Sequence, residues 1–275
     1  MNALLLMIAV EVRESLRAKW FFVYLLVFGG AVVLLIALRL TESQVMGFTG
    51  MGRLLLTYIQ LAVAVLPIFV LITTVRALVG ARESGSLEYL LSFPISLRAY
   101  YWGLLLGRFA VVFLPAVVAM LAAAVWGLQR GLDVTWAFLG YSAALLAALA
   151  WCFLGTGILI SSVVRRVEWG LGLAFLTWLG CLLFVDIVLI GLMLRLHVNE
   201  TLVIVLALLN PLQSFRIGAM MLFDPALSVI GPTAYVIQDL FGHAGFLVFA
   251  LAYPVVLGWA LALAGYQVFR RGDLV

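Results

Sequence analysis

The chain has 275 residues, 67% of them hydrophobic and 10% charged, with a mean hydropathy of +1.25. Soluble domains are about a quarter charged, so a single water-facing core is excluded. The formal charge of +4 and pI near 9.3 would point to nucleic acid in a soluble chain. Here the basic residues sit at the ends of hydrophobic runs, the pattern of membrane orientation, and no nucleic-acid partner is expected.

A helix needs about 20 mostly apolar residues to cross a bilayer of roughly 30 Å, so this length allows about six or seven crossings. A transmembrane barrel would show short alternating strands, and the run Val111–Trp126 does not alternate. The expected fold is therefore an all-α membrane protein, a single transmembrane domain over residues 1–275.

In chain order, residues 1–19 form an amphipathic helix lying along the membrane interface. Leu5, Ile8, Ala9, Val12 and Leu16 fall on one side, interrupted by Glu11, Arg13, Glu14 and Arg17. The same charges, and the lack of a following small-residue cleavage site, argue against a secretory signal. The first span is expected at Trp20–Leu38 and the second at Leu54–Val75, joined by the polar loop Arg39–Arg53. That loop holds Gly47, Gly50 and Gly52 but no GxGxxG pattern and no lysine, so it reads as a flexible connection.

Residues 80–97, GARESGSLEYLLSFPISL, make the longest break in hydrophobicity before the C-terminal third. Leu87, Leu90 and Leu91 fall at i, i+3 and i+4, one side of a short helix. Gly85 and Ser86 mark its start, with Ser86 expected to accept a backbone N–H as N-cap and Glu88 in the first turn, where the helix dipole favours negative charge. Pro94 stops the helix, and Ser96 is placed to cap the next one. The expectation is a two-turn amphipathic helix between spans two and three, exposed to something outside the membrane.

The third span is expected at Tyr100–Leu128, the fourth at Trp136–Val164, the fifth at Gly170–Leu194 and the sixth at Phe246–Phe269. Between the last two lies 197–243, whose apolar runs are short and interrupted, with Asn210-Pro211 breaking one of them. This region is expected to form short helices that dip partway into the membrane from outside, where non-helical backbone needs protein or water around it. Six spans place segments 1–19, 76–108, 165–168 and 270–271 on one side, with 11 of the 16 basic residues. A seventh span would move Arg270 and Arg271 across and weaken the positive-inside bias, so both termini and residues 80–97 are expected in the cytoplasm.

A Walker A loop needs a lysine after a glycine to reach the phosphates, and the only lysine, Lys19, follows Ala18. The chain is therefore no P-loop ATPase and no catalytic residue is expected; any ATP dependence must come from a partner. Asp186 is the one ionisable residue well inside an expected span, about 24 Å along the fifth. Two readings stand for it: a pathway or proton site, or a carboxylate reaching interfacial water or bonded between helices. No spacing sets His197, His243, Met220, Met221, Asp224 and Asp239 on one face, so no metal site is expected. Cys152 and Cys181 have neither zinc nor disulfide-framework spacing. Gly103 and Gly107, spaced GxxxG, let a neighbouring helix approach closely, within the chain or between copies. Pro67 and Pro115 lie inside spans and are expected to kink them.

Glu83-Ser-Gly-Ser-Leu-Glu88-Tyr-Leu-Leu-Ser-Phe-Pro94, followed by a basic residue and the pair Gly107-Arg108, resembles the E-x-G-[ST]-L-E-x-L-L-[ST]-x-P signature of type-2 ABC exporter permeases. Glu11–Trp20, Gly47-Phe48-Thr49, Leu209-Asn210-Pro211 and Phe215-Arg216 are similar to the NosY branch of that family. Arg82 departs from the pattern, standing where relatives often carry an acid. The resemblance implies a homodimeric permease of the bacterial inner membrane, with no cofactor of its own. Its coupling helix, Gly85–Phe93, would dock on a separate cytoplasmic ATPase subunit that binds ATP and magnesium, through Glu83, Gly85, Leu87, Glu88, Leu90, Leu91 and Pro94. It further implies a periplasmic partner in maturing the copper–sulfur centre of nitrous-oxide reductase. Two rivals remain: a secondary transporter driven by an ion gradient through Asp186, and a non-transporting membrane anchor for a periplasmic assembly. Scarce ionisable residues in the spans and the lack of an internal repeat weigh against the first.

Overall fold

A computed structural model describes residues 3–37, 50–129, 136–184, 191, 200–222 and 233–272, and every element among them is helical. Helix α1 (Ala3–Arg17) runs through a one-residue bend at Ala18 into α2 (Lys19–Ala37). Helix α3 (Gly50–Glu83) is followed by the short α4 (Ser86–Leu91), then α5 (Leu97–Gln129) and α6 (Trp136–Val163). Helix α7 (Val167–Leu179) runs into a π-helical turn, Gly180–Phe184. Two short helices, α8 (Glu200–Leu208) and α9 (Pro211–Met221), precede α10 (Thr233–Arg271), which is broken at Gly242, where φ is 65°.

Four stretches are long and apolar enough to cross a membrane: Tyr58–Glu83, Leu97–Gln129, Trp136–Val163 and Asp239–Arg271. Val167–Leu183 is a shorter apolar helix. Helix α2 covers the expected first span nearly end to end. The outward faces are apolar, with Leu26 and Leu176 exposed by more than half on α2 and α7, and Leu114, Val118, Val248 and Val256 likewise on α5 and α10. Such a continuous apolar exterior belongs in lipid.

Helix α3 continues eight residues beyond the expected end at Val75. Residues 80–83 thus belong to α3's last turn, and the polar break is confined to the α4 segment. The charged Arg76, Arg82 and Glu83 do not end the helix because straight-chain charged residues are good helix formers.

Close backbone approach holds α6 against α10. A Cβ on Gly155 would lie 2.2 Å from the carbonyl oxygen of Gly258, and one on Gly258 only 2.7 Å from Trp151. One turn-pair further on, a Cβ on Gly265 would lie 2.7 Å from the Tyr101 hydroxyl, which donates to the Ala262 carbonyl (2.7 Å). Trp151 packs on Trp259, which packs on Trp102, building an aromatic layer across α5, α6 and α10.

Helices α3, α5 and α10 each continue through an internal proline. A proline in a helix frees or bends nearby backbone bonds, and in lipid those groups must be satisfied by neighbours. Near Pro115, Tyr24 of α2 donates to the Val112 carbonyl (3.1 Å) and Tyr58 of α3 to that of Ala116, tying the proline-bearing turn to both neighbouring helices.

At roughly 1.5 Å per residue, α8 and α9 span only about 14 and 17 Å, too short to cross. The buried face of α9, including Leu212, Ser214, Phe215 and Gly218, packs among α3, α6 and α10. Asn210 caps α9 by accepting from Leu212 N–H (3.1 Å) and donates to the Cys181 carbonyl (2.6 Å) in the π-helical turn of α7. Asn210 thus satisfies backbone groups both at the start of α9 and in the neighbouring π-helical turn.

If the α6–α10 contact depends on absent side chains, Gly155→Val should lower the thermal midpoint in detergent by about 5 °C or more. Gly140→Val, on a glycine with nothing within 4 Å of an added Cβ, serves as the control. Equal shifts in the two variants would overturn the packing account.

Candidate functional site

Of the residues singled out by the sequence, Glu83, Gly85, Leu87, Glu88, Leu90, Leu91 and Pro94 lie on or beside α4. Gly85 adopts a left-handed conformation (φ 69°, ψ 2°), which a side chain would strain, and it occupies the N-cap position of α4. The expected cap is therefore displaced by one residue. The Ser86 hydroxyl points back and donates to the Ala81 carbonyl (3.2 Å), while Ser84 donates to that of Gly80 (2.8 Å). Ser96 caps α5, accepting from the Ala99 N–H (3.2 Å).

Which face of α4 looks outward reverses the sequence expectation. Leu87 is fully buried in its own chain, and Leu90 and Leu91 pack half-buried beside it. The exposed face is formed by Glu88, Tyr89 and Phe93, with Pro94 beyond them. Tyr89 is 67% exposed and its ring meets Phe93 edge-on at 5.3 Å. The leucines face inward because α4 sits against α3 and the core between α3 and α5 is its apolar neighbour. The signal for the outer face was present as aromatics four residues apart, opposite the leucine stripe.

The last two residues of α3 clasp the turn between α6 and α7. Arg82 Nη1 donates to the carbonyls of Ser161 (3.4 Å) and Ser162 (3.3 Å), which lie in the last turn of α6 where carbonyls lack helical partners. Its guanidinium also lies over the Phe269 ring of α10, 5.1 Å from the centroid. Glu83 Oε1 accepts from the Val167 N–H (2.9 Å) at the start of α7, where the helix dipole favours a carboxylate. Glu83, expected at a partner's rim, thus makes an internal bond. Adjacent residues of opposite charge complement opposite helix ends, which gives Arg82 a local reason to stand where an acid was expected.

A second charged contact lies beside the first. Gly103 and Gly107 of α5 face α1: an added Cβ would lie 2.5 Å from Met7 Cβ and 2.8 Å from Glu11 Cβ respectively. This close approach brings Glu11 against Arg108, with Arg108 Nε 2.8 Å from Glu11 Oε1 but out of line with its N–H, so the contact is chiefly Coulombic. Arg108 Nη1 donates to the Thr73 carbonyl of α3, and Ser15 donates to Glu11 (3.4 Å). Burial pushes the Glu11 carboxyl above the ordinary glutamate value; the Arg108 charge pulls the other way without overcoming it, and Glu14 adds to the rise. One pair therefore ties α1, α3 and α5 together. Asp186 lies outside the described residues. Among the described residues no three of His, Cys, Asp and Glu cluster as metal ligands.

The model for the ABC-2 family transporter protein matches residues 5–274, nearly the whole chain. The chain belongs to the ABC-2 transporter family. It is also similar to two chains described as "Probable ABC transporter permease protein NosY". It is 26% identical to that of Stutzerimonas stutzeri over 269 residues and 27% identical to that of Pseudomonas aeruginosa over 274, each covering 95% of both chains. As an ABC-2 permease, the chain supplies the membrane-spanning part of a transporter, and α4 raises the exposed aromatics Tyr89 and Phe93 on a polar segment.

Because folding favours the protonated form of Glu11, its contribution is complete below the unfolded carboxyl's pKa and is lost as pH rises through the folded one. The wild-type permease in detergent should lose thermal stability from mildly acid to neutral pH, and Glu11→Gln should flatten that slope. Arg108→Gln, which strands a buried carboxylate, should cost about 2 kcal/mol more than Glu11→Gln. Equal costs, or an unchanged pH slope in Glu11→Gln, would contradict the assignment.

Proposed function

We propose that this ABC-2 permease works with a separate ATP-hydrolysing subunit that docks on α4 through Tyr89 and Phe93, with Glu88 and Pro94 at the edge of the contact. The observation that carries this reading is the exposed aromatic pair on a short helix whose opposite face is seated in the bundle. Aromatic side chains in such positions anchor interfaces. ATP and magnesium would be bound by that subunit, consistent with a chain that has no Walker lysine.

In this reading the docking force enters through Leu87 and the left-handed joint at Gly85. It then reaches α3, and the Arg82–Glu83 clasp passes it to α6, α7 and α10. The membrane part is proposed to be a homodimer with six crossings in each copy: α2, α3, α5, α6, α7 with its continuation, and α10. The positive-inside count supports cytoplasmic termini and a cytoplasmic α4. Asp186 is retained as a proposed pathway residue in the fifth crossing.

The two NosY-named relatives and the motif resemblance support a narrower role, with a periplasmic partner and the maturation of the copper–sulfur centre of nitrous-oxide reductase. Transport of a cargo and mechanical transmission to that partner both use the same docking helix.

Tyr89→Ala with Phe93→Ala should weaken binding of the ATPase subunit about 30-fold, the effect of losing roughly 2 kcal/mol at an aromatic anchor, while leaving the thermal midpoint unchanged. Undiminished binding would sink the docking assignment. Glu83→Ala should leave that binding intact yet reduce the permease's stimulation of ATP hydrolysis. Full stimulation in Glu83→Ala would remove the clasp from the transmission route.

A further inference from the structure

Folding sorts the charges around α1. Residues 3–19 hold two acids and three bases. Glu11 is buried against Arg108, so its charge is answered inside the protein. Arg13, Arg17 and Lys19 are exposed, with Glu14 the remaining acid among them. Among the described residues, none of these three bases has a hydrogen bond or ion pair within the chain, whereas Arg76 and Arg108 are both engaged. Leu16 is exposed beside Arg13 and Arg17, and Leu5, Leu6 and Val10 continue the apolar surface towards the start of the helix. We propose that this outward face docks on anionic phospholipid, with Arg13, Arg17 and Lys19 at the headgroup phosphates and Leu16 against the first acyl carbons.

Position argues for a membrane surface as the occupant. Lys19 opens α2, which exposes Phe22, Val23 and Leu26 as a hydrocarbon-facing surface. At roughly 1.5 Å per residue, Arg17 lies about 5 Å and Arg13 about 10 Å before residue 20 along the helix, even with α1 upright on the membrane. The headgroup layer is roughly 5 to 8 Å thick. Long basic side chains snorkel towards it, and any tilt of α1 shortens the distance. All three bases therefore reach headgroup level. An interfacial helix with bases set among apolar side chains is the usual form of such a contact.

Charge selects the lipid. Three bases against one acid leave the face net positive, and this follows from the inward turn of Glu11. A zwitterionic headgroup brings its own cation to the contact, whereas an anionic one brings attraction alone. The cavity of about 300 Å³ on the inner side of α1 does not compete for anions, since Glu11, Glu14, Arg76 and Arg108 in its wall balance in charge.

The test is native mass spectrometry of the full-length permease, with no other protein present, released from nanodiscs of equal parts phosphatidylglycerol and phosphatidylcholine. Phosphatidylglycerol should be retained about tenfold over phosphatidylcholine, a ratio equivalent to about 1.4 kcal/mol. Arg13→Gln with Arg17→Gln should lower that ratio about fivefold, and Glu14→Gln should raise it, with the thermal midpoint unchanged in both because the positions are exposed. Arg165→Gln with Arg166→Gln, at the exposed turn between α6 and α7, should lower it less than twofold. Equal retention of the two lipids in the wild type would overturn the proposal, as would a ratio untouched by the α1 variants or a larger loss from the Arg165 and Arg166 pair. Inorganic phosphate should displace the retained lipid no more than chloride does at equal ionic strength. Specific displacement by phosphate would mark a free-anion site and overturn the lipid assignment.

Discussion

Inside a bilayer the hydrophobic effect does not draw helices together, because lipid is as apolar as the side chains it would replace. What remains is close packing and the need to satisfy every backbone polar group. Both are visible in how this bundle is closed. Helices α6 and α10 touch backbone to backbone at Gly155 and Gly258. Elsewhere among the described residues, interior hydroxyl and amide groups donate to carbonyls, as Tyr24, Tyr58, Tyr101, Tyr141 and Asn210 do. Tyrosine suits the task because its ring fills core volume while its hydroxyl reaches a carbonyl on a neighbouring helix.

The same constraint explains where charge is placed. Arg82, Glu83, Glu11 and Arg108 all lie towards the α4 end, and each is matched to a helix terminus, a carbonyl or an opposite charge. These contacts add directional bonds between elements that also pack together: the Arg82–Glu83 pair links α3 to α6, α7 and α10, and Glu11 with Arg108 links α1 to α5 and α3. The end of the molecule where a partner is proposed to dock is thus the end where most helices are tied together by directional bonds. In the proposed docking, a displacement of α4 would reach α6, α7 and α10 through these bonds as well as through packing.

The pairing of Glu11 with Arg108 also shows why a buried ion pair is a device for register more than for stability. Desolvation outweighs the attraction of Arg108 in setting the carboxyl's proton affinity, as expected when charges leave water. What the pair contributes is position: it fits only if Gly103 and Gly107 allow α1 to lie close on α5, so the small residues and the charges fix one another's register.

By itself the sequence determined that the chain is a helical membrane bundle, where its long helices lie, and that its polar break is a short helix. Those properties follow from hydrophobic run length, charge count and proline or glycine punctuation, all local along the chain. It also carried the family resemblance, in a motif confined to residues 83–94. The tertiary structure decided which face of α4 is exposed, because Leu87 and Tyr89 both carry large apolar surface and the neighbouring α3 makes only Leu87 core. It decided that Gly103 and Gly107 receive α1 of the same chain, and that Glu83 bonds the start of α7, since GxxxG spacing and a carboxylate name no partner. It exposed Gly155, Gly258 and the cavity beside Glu14 and Arg76, which join residues up to about a hundred positions apart. Periodicity reports a side chain's angle around its own helix; what lies at that angle is set by how the other helices pack.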